Sequence, residues 1–303
     1  MKLQKKSRIK KILITGASGA LGQTLIPHLE YLNYDCLGIS QLKKTKIRKT
    51  NVVPCDVTNY NKIKSIIFKF KPNIIIHLAG LTGNLECEKE PKKAFATNLL
   101  GTLNILKSST KLKPKIIFSS SREVYGNTRY KAKESSLLRP ININGATKML
   151  SEYLIIHYNQ QFKIPYVILR FTNFFSENFS KRGISLMLKN AIKGEKITIF
   201  GGHQNIDLLH YDDAVLAVMK AIKKNKSEIF NIGSGKSFEL LSIIKLLEKV
   251  RGKKIRFEIK PYRSFEVRNF QIDTSKAKNK LNFESSLTVH DILEKMISKW
   301  SPN

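Results

Sequence analysis

Residues 11–22, KILITGASGALG, place Gly16, Gly19 and Gly22 directly behind a short apolar run and directly ahead of a helix-like stretch over 23–32. That order suits a dinucleotide pyrophosphate. A tight strand-to-helix turn uses glycines where side chains would keep the backbone away from phosphate. The helix beyond it then offers free N–H groups and the positive end of its dipole. The spacing is Gly-x-x-Gly-x-x-Gly, which differs from the Gly-x-Gly-x-x-Gly of ordinary dinucleotide-binding turns. Glycine triplets also arise in loops by chance. The apolar ILIT before this one and the helical stretch after it make it a phosphate-binding turn.

Such a turn needs a sheet to carry it, and the first half of the chain alternates apolar runs with amphipathic stretches at the pace of a parallel α/β sheet. Strands are predicted over 9–15, 34–39, 51–57, 73–80, 115–121 and 166–171, with the clearest helices over 60–70, 91–110 and 145–162. The runs NIIIHLAG and KIIFSSS are nearly continuous in β-branched and apolar residues, as strands buried on both faces should be. After Arg170 the rhythm changes to a polar segment, a helix over 184–193, the turn FGGHQN and a last strand, FNIGS, followed by two more short helical stretches. The chain has no internal repeat and no low-complexity tail.

A chain of 303 residues that is 42% hydrophobic can bury a sizeable core in one large domain or two closely joined ones. Three unevenly spaced cysteines, Cys36, Cys55 and Cys87, without a CxxC pair, indicate neither a disulfide framework nor a zinc site, and no metal is expected. A reducing, cytoplasmic setting fits them. The basic start MKLQKKSRIKK is followed by an apolar run that ends at Thr15 and Gly16, too short for a signal core or a membrane span. The net charge is +31, heaviest over 1–150, where 28 basic residues face 8 acidic ones. Lysine supplies 43 of the 54 basic residues, and they are spread along the whole chain. That pattern reads as a drift of solvated surface positions, and no specific nucleic-acid partner is expected.

The residues of several segments together resemble an extended short-chain dehydrogenase/reductase of the nucleotide-sugar epimerase/dehydratase group. The segments are TGASGALG (15–22), CDVTN (55–59), IIHLAG (75–80), ATNLLGTLNIL (96–106), FSSSREVYG (118–126), GATKMLSEYL (145–154), LRFTNFF (169–175), GGHQNIDLLHYDD (201–213), FNIGSG (230–235) and DTSKAKNKLNF (273–283). Their joint order runs almost from end to end. The resemblance implies a Rossmann-type, doubly wound parallel α/β sheet over 1–170, to which 207–235 returns, with a smaller substrate-binding lobe mainly over 171–303. It also implies NAD or NADP as cofactor, a nucleotide-diphosphate sugar as substrate, and a homodimer formed through the helices at 91–110 and 145–162.

In that likeness the cofactor faces Gly16, Gly19, Ala20, Leu21 and Gly22. Asp56 and Val57 hold and cover the adenine, and Leu78, Ala79 and Gly80 let the backbone pass close to ribose and phosphate. For Asp56 the alternative is a cap on the helix starting near Tyr60. Asn98 is implied to brace the strands at 73–80 and 115–121. The second strand usually ends in a carboxylate that holds the adenosine 2′-hydroxyl and repels a 2′-phosphate. Here that residue is Ser40, followed by Gln41 and the basic run Lys43, Lys44, Lys46, Arg48 and Lys49, so the cofactor preference leans to NADP. The competing reading of the run is a solvated basic loop.

The reacting groups depart from the family pattern of Tyr-x-x-x-Lys, in which the lysine binds the nicotinamide ribose and the tyrosine relays a proton. Lys148 matches the lysine, and four residues earlier stands Asn144, whose amide can hydrogen-bond a sugar oxygen but is no acid near neutral pH. Ser121 matches the residue that holds the sugar's reacting oxygen. Glu123 matches a carboxylate that some dehydratases use as a base, with an ion pair near Arg122 as the alternative. Tyr125 reads as packing. Asn173 and Arg263 match substrate-binding positions, while another usual arginine is Ile206 here. Asp212 and Asp213 read as caps of a helix over 214–222. The expected function is NAD(P)-dependent epimerisation, dehydration or ketoreduction of a nucleotide sugar; the alternative is a catalytically silent binder of the same fold.

Overall fold

The computed structural model describes residues 10–41, 45–179 and 183–301. Lys43 and Lys44 of the basic run lie outside them. Eight strands form one sheet: β1 (Lys11–Thr15), β2 (Asp35–Ser40), β3 (Thr45–Ile47), β4 (Thr50–Pro54), β5 (Ile74–His77), β6 (Lys115–Ser121), β7 (Tyr166–Phe171) and, much later in the chain, β11 (Glu228–Ile232). Their order is β11-β7-β6-β5-β1-β2-β4-β3, parallel except for the β3–β4 hairpin. Three short strands, β8 (Asn173–Phe175), β10 (Asn205–His210) and β12 (Ser237–Glu239), make a second sheet. A third pairs β9 (Ile197–Phe200) with β13 (Phe257–Lys260).

The central strands are apolar on both sides because helices cover both faces. Ile12 and Ile14 of β1, with Ile74 and Ile76 of β5, share a core with α1 (Ala20–Tyr31). Leu13 and Ile75, one residue out of phase, share another with α2 (Tyr60–Phe70). The chain between β5 and β6 forms α3 (Asn84–Lys89), α4 (Pro91–Ala94), a π-helical turn at Phe95–Leu100 and α5 (Gly101–Ser109), where one helix over 91–110 is expected from the pattern. Beyond β6 comes α6 (Ile143–Phe162), beyond β8 α7 (Gly183–Ile192), and beyond β10 α8 (Tyr211–Lys223), which packs on the α1 side of the sheet. The C-terminal part adds α9 (Leu240–Arg251), α10 (Ser275–Leu281) and α11 (Val289–Trp300), so three helices and two strands follow β11 in place of two helical stretches. Helices α7, α9 and α11 enclose an apolar cluster of their own.

Two helix starts correct the sequence reading. Asn59 caps α2, accepting from the Lys62 N–H; Asp56 takes the Thr58 N–H at 2.8 Å and the Gln41 amide at 2.9 Å. His210 caps α8, and Asp213, inside its first turn, binds the Ser285 and Ser286 hydroxyls at 2.6 and 2.8 Å. Both carboxylates are thereby engaged by the chain itself.

Candidate functional site

Strand order reverses between β1 and β5, and a crevice opens there at the carboxyl ends of the strands. A cavity of about 600 Å³ occupies it. One part of its wall is the turn after β1. Gly16 has φ +66°, and a Cβ there would lie 2.8 Å from the Ala79 backbone nitrogen; a Cβ on Gly22 would lie 2.5 Å from the Ala17 carbonyl oxygen. These two glycines let chain segments pack together. Gly19 instead caps α1 with no side-chain hydrogen bond, which leaves the first N–H groups of the helix at the cavity wall. Gly16, Gly19, Ala20, Leu21 and Gly22 all line the cavity, together with Leu78, Ala79 and Gly80.

The turn after β5 is held by a buried hydrogen-bond chain. The Ala79 N–H donates to Thr15 Oγ1 (3.0 Å), which meets His77 Nδ1 at 2.7 Å; His77 Nε2 meets Thr102 Oγ1 at 3.0 Å, and that hydroxyl donates to the Asn98 carbonyl at 2.6 Å. Since Thr102 donates onward, His77 must carry its proton on Nε2 and accept from Thr15 at Nδ1. Full burial pushes the His77 pKa down to about 3, so the ring stays neutral. The Asn98 side chain accepts from the Leu81 N–H at 2.7 Å and donates to Thr147 Oγ1 at 2.9 Å. It thus ties the segment after β5 to α6, where the family likeness implied a brace to the strand at 115–121.

At the adenosine end of the reading, Ser40 is buried, lines the cavity and meets Ser18 Oγ at 2.5 Å. Val57 lines the cavity, whereas Asp56 does not. At the other end stand Ser121, Asn144 and Lys148. Asn142 caps α6 by accepting from the Gly145 N–H at 2.8 Å, which starts the helix so that Asn144 and Lys148, one turn apart, share a face. Lys148 Nζ donates to the Ser119 carbonyl at 2.7 Å, and burial pulls its pKa down to about 8. Asn144 donates from Nδ2 to Asn84 at 3.2 Å, and its buried Oδ1 has no partner among the described residues. The Ser121 hydroxyl accepts from the Glu123 N–H at 3.2 Å.

Besides Asp56, three expected residues lie off the cavity wall. Glu123 is buried in an ion pair with Arg122 (3.0 Å) and accepts from Asn142 at 2.7 Å, the alternative weighed for it. Arg263 stacks over the Phe200 ring at 3.6 Å and meets Glu266 at 3.5 Å. Asn173 lies on β8, its buried Oδ1 without a partner among the described residues. Tyr125 is packed in the core, donating to Asn231 at 2.7 Å. The wall also contains Ser18, Lys93, Phe174 and Tyr211, which the sequence reading does not include. Ser18 sits inside the glycine run and could have been found there; the others carry no local signal. Among the described residues no carboxylate lines the cavity, and its cations are Lys93 and Lys148. Uncapped helix N–H groups, hydroxyls and lysines form a donor set that fits a pyrophosphate-linked nucleotide.

Residues 12–233 match the model of the NAD dependent epimerase/dehydratase family. UDP-glucose 4-epimerase of Lactobacillus helveticus is 26% identical, the match covering 96% of each chain. The solved structure of UDP-glucose 4-epimerase from Thermotoga maritima with UDP-glucose superposes with a TM-score of 0.89 at 26% identity, over 95% of this chain and 98% of that one. UDP-glucuronic acid 4-epimerase from Bacillus cereus, in complex with UDP-glucuronic acid and NAD, gives 0.87 at 25% identity over the same shares.

Proposed function

This chain belongs to the NAD dependent epimerase/dehydratase family, and we propose that it binds a nicotinamide dinucleotide and a nucleotide-diphosphate sugar together and moves hydride between them without the family's tyrosine. The observation that carries the reading is the single cavity in which the glycine turn, Ser121, Asn144 and Lys148 meet. The nicotinamide, when bound, accepts and returns hydride at a sugar carbon. Ser121 holds the sugar's reacting oxygen. Lys148, whose ammonium is weakened to about 8 by burial, is the group able to exchange a proton near neutral pH. Asn144 orients the hydroxyl or a water between them through its unpartnered Oδ1. Glu123, occupied by Arg122 and Asn142, takes no part in this scheme. The paired hydroxyls of Ser18 and Ser40 support binding of NADP(H) at least as tightly as NAD(H).

The same Asn144 supports a second reading, a silent binder that retains both ligands without turnover. A second copy of the chain fits the exposed apolar side chains Phe95, Leu100, Tyr153 and Phe162 of the two helical segments at 91–109 and 143–162. Three free cysteines suit work in a reducing cytoplasm. The test is to purify the protein, identify any retained nucleotide by mass spectrometry, and follow UDP-glucose and UDP-glucuronic acid by chromatography with the unmodified chain and with Lys148→Ala. Retained NAD or NADP with conversion that disappears in the variant is the expected result. A retained dinucleotide without conversion selects the silent binder, and no affinity for either dinucleotide defeats both readings.

A further inference from the structure

Tyr211 opens α8 directly after its cap, His210, and lines the cavity. Its ring is stacked on Phe174 with centroids 4.8 Å apart and planes 19° apart. Phe174 leans on Phe171 at 5.1 Å, and Phe179 meets Tyr211 edge-on at 5.2 Å. Phe174 and Tyr211 also pack against the apolar cluster that contains Ala17 and Leu21, and Tyr211 shares the cavity wall with the glycine turn and the first turn of α1. Largely buried tyrosines ordinarily find a partner for the hydroxyl; among the described residues this one has none.

We propose that Tyr211 is a dinucleotide-binding residue whose hydroxyl donates to a pyrophosphate oxygen held at the start of α1, with the ring fixed in place by Phe174. Burial pushes the phenol's pKa up to about 12, so it remains a donor over the whole working range and suits an anion. Among the described residues of the wall no carboxylate competes for that proton. The inference rests on the reading of the cavity as a dinucleotide site, and it adds a donor from α8 to those of the α1 terminus.

The test is fluorescence titration with NADH and competition by ADP-ribose and by AMP, on the unmodified protein and on Tyr211→Phe, with thermal unfolding of each ligand-free protein as a control. The variant keeps the stacked ring, so its melting temperature should be unchanged. Loss of one hydrogen bond to a charged group should weaken NADH and ADP-ribose equally, by about tenfold or more, and leave AMP, which has no pyrophosphate, as it was. Unaltered ADP-ribose binding by the variant overturns the assignment, and a loss confined to NADH moves the phenol to the nicotinamide half and overturns it too. If the unmodified protein binds none of the three, the dinucleotide reading itself fails and this inference with it.

Discussion

Asn144 decides whether the cavity reacts. It stands one turn before Lys148 on the cavity wall, so Asn144→Tyr places a phenol beside a lysine whose pKa lies near 8. General acid–base assistance is typically worth about 10²–10⁴-fold, and turnover of the cognate nucleotide sugar should rise by that order, read as initial rates under saturating cofactor. Rapid turnover by the unmodified protein that the tyrosine slows would make Asn144 part of a different mechanism. The lysine also predicts a pH profile. Sugar oxidation needs Lys148 neutral, so the unmodified rate should climb as pH passes about 8 and then level; a profile flat between roughly pH 7 and 9 removes Lys148 as the base. At the far end, Ser40→Asp sets a carboxylate beside Ser18 in place of a hydroxyl. NADPH affinity should drop on the order of a hundredfold, with NADH little changed, because like charges in contact cost several kcal/mol. A firm NAD preference in the unmodified protein, insensitive to salt, sinks the expectation.

Elements were legible where local pattern decides them. The helix over 60–70 and the strands over 115–121 and 166–171 are found at those bounds, because uninterrupted apolar or amphipathic periods need no tertiary information. The π-helical turn at Phe95–Leu100 was not legible, since a single wide turn leaves the amphipathic pattern almost intact. Nor were the helix caps: Asp56 and Asp213 look like caps in the chain, but their partners lie at Gln41 and at Ser285 and Ser286. The glycine turn, Ser121, Asn144 and Lys148 could be read as one site because each sits in a short motif. Tyr211 comes to the wall only through the packing of α8 on α1. Long-range pairing also joins α6 to β7. Arg170 grips Glu152 with Nη2 at 2.6 Å and Nε at 3.0 Å, and Ser120 and Tyr125 complete the network. All of it is buried. Glu152→Ala leaves a guanidinium without its countercharge in the core beneath β6, and should cost about 3–5 kcal/mol in urea unfolding. A loss below about 1 kcal/mol would mean that water or Tyr125 compensates and that the network is not what fixes α6 on the sheet.

At the scale of the whole molecule the net charge of +31 has to be reconciled with a function that uses few cations. Within the cavity the described lining has only Lys93 and Lys148 as cations, two of the chain's 54 basic residues. Many of the others sit exposed on separate elements, for example Lys69 of α2, Lys107 of α5 and Lys249 of α9. A nucleic-acid footprint concentrates cations on one face or inserts them into a groove with base-reading side chains beside them, and a scattered distribution gives attraction without registry. Duplex DNA or RNA should therefore bind weakly and without sequence preference, and the affinity should fall steeply as salt rises, because it comes from counterion release alone. The measurement is a salt series of fluorescence-anisotropy titrations on two unrelated duplexes, repeated with saturating NADH. Equal affinities that vanish together near physiological salt, and that NADH leaves unchanged, fit a surface charge separate from the cavity. Submicromolar, sequence-selective binding at that salt would turn the lysines into a partner surface, and competition by NADH would place that surface at the mouth of the cavity itself.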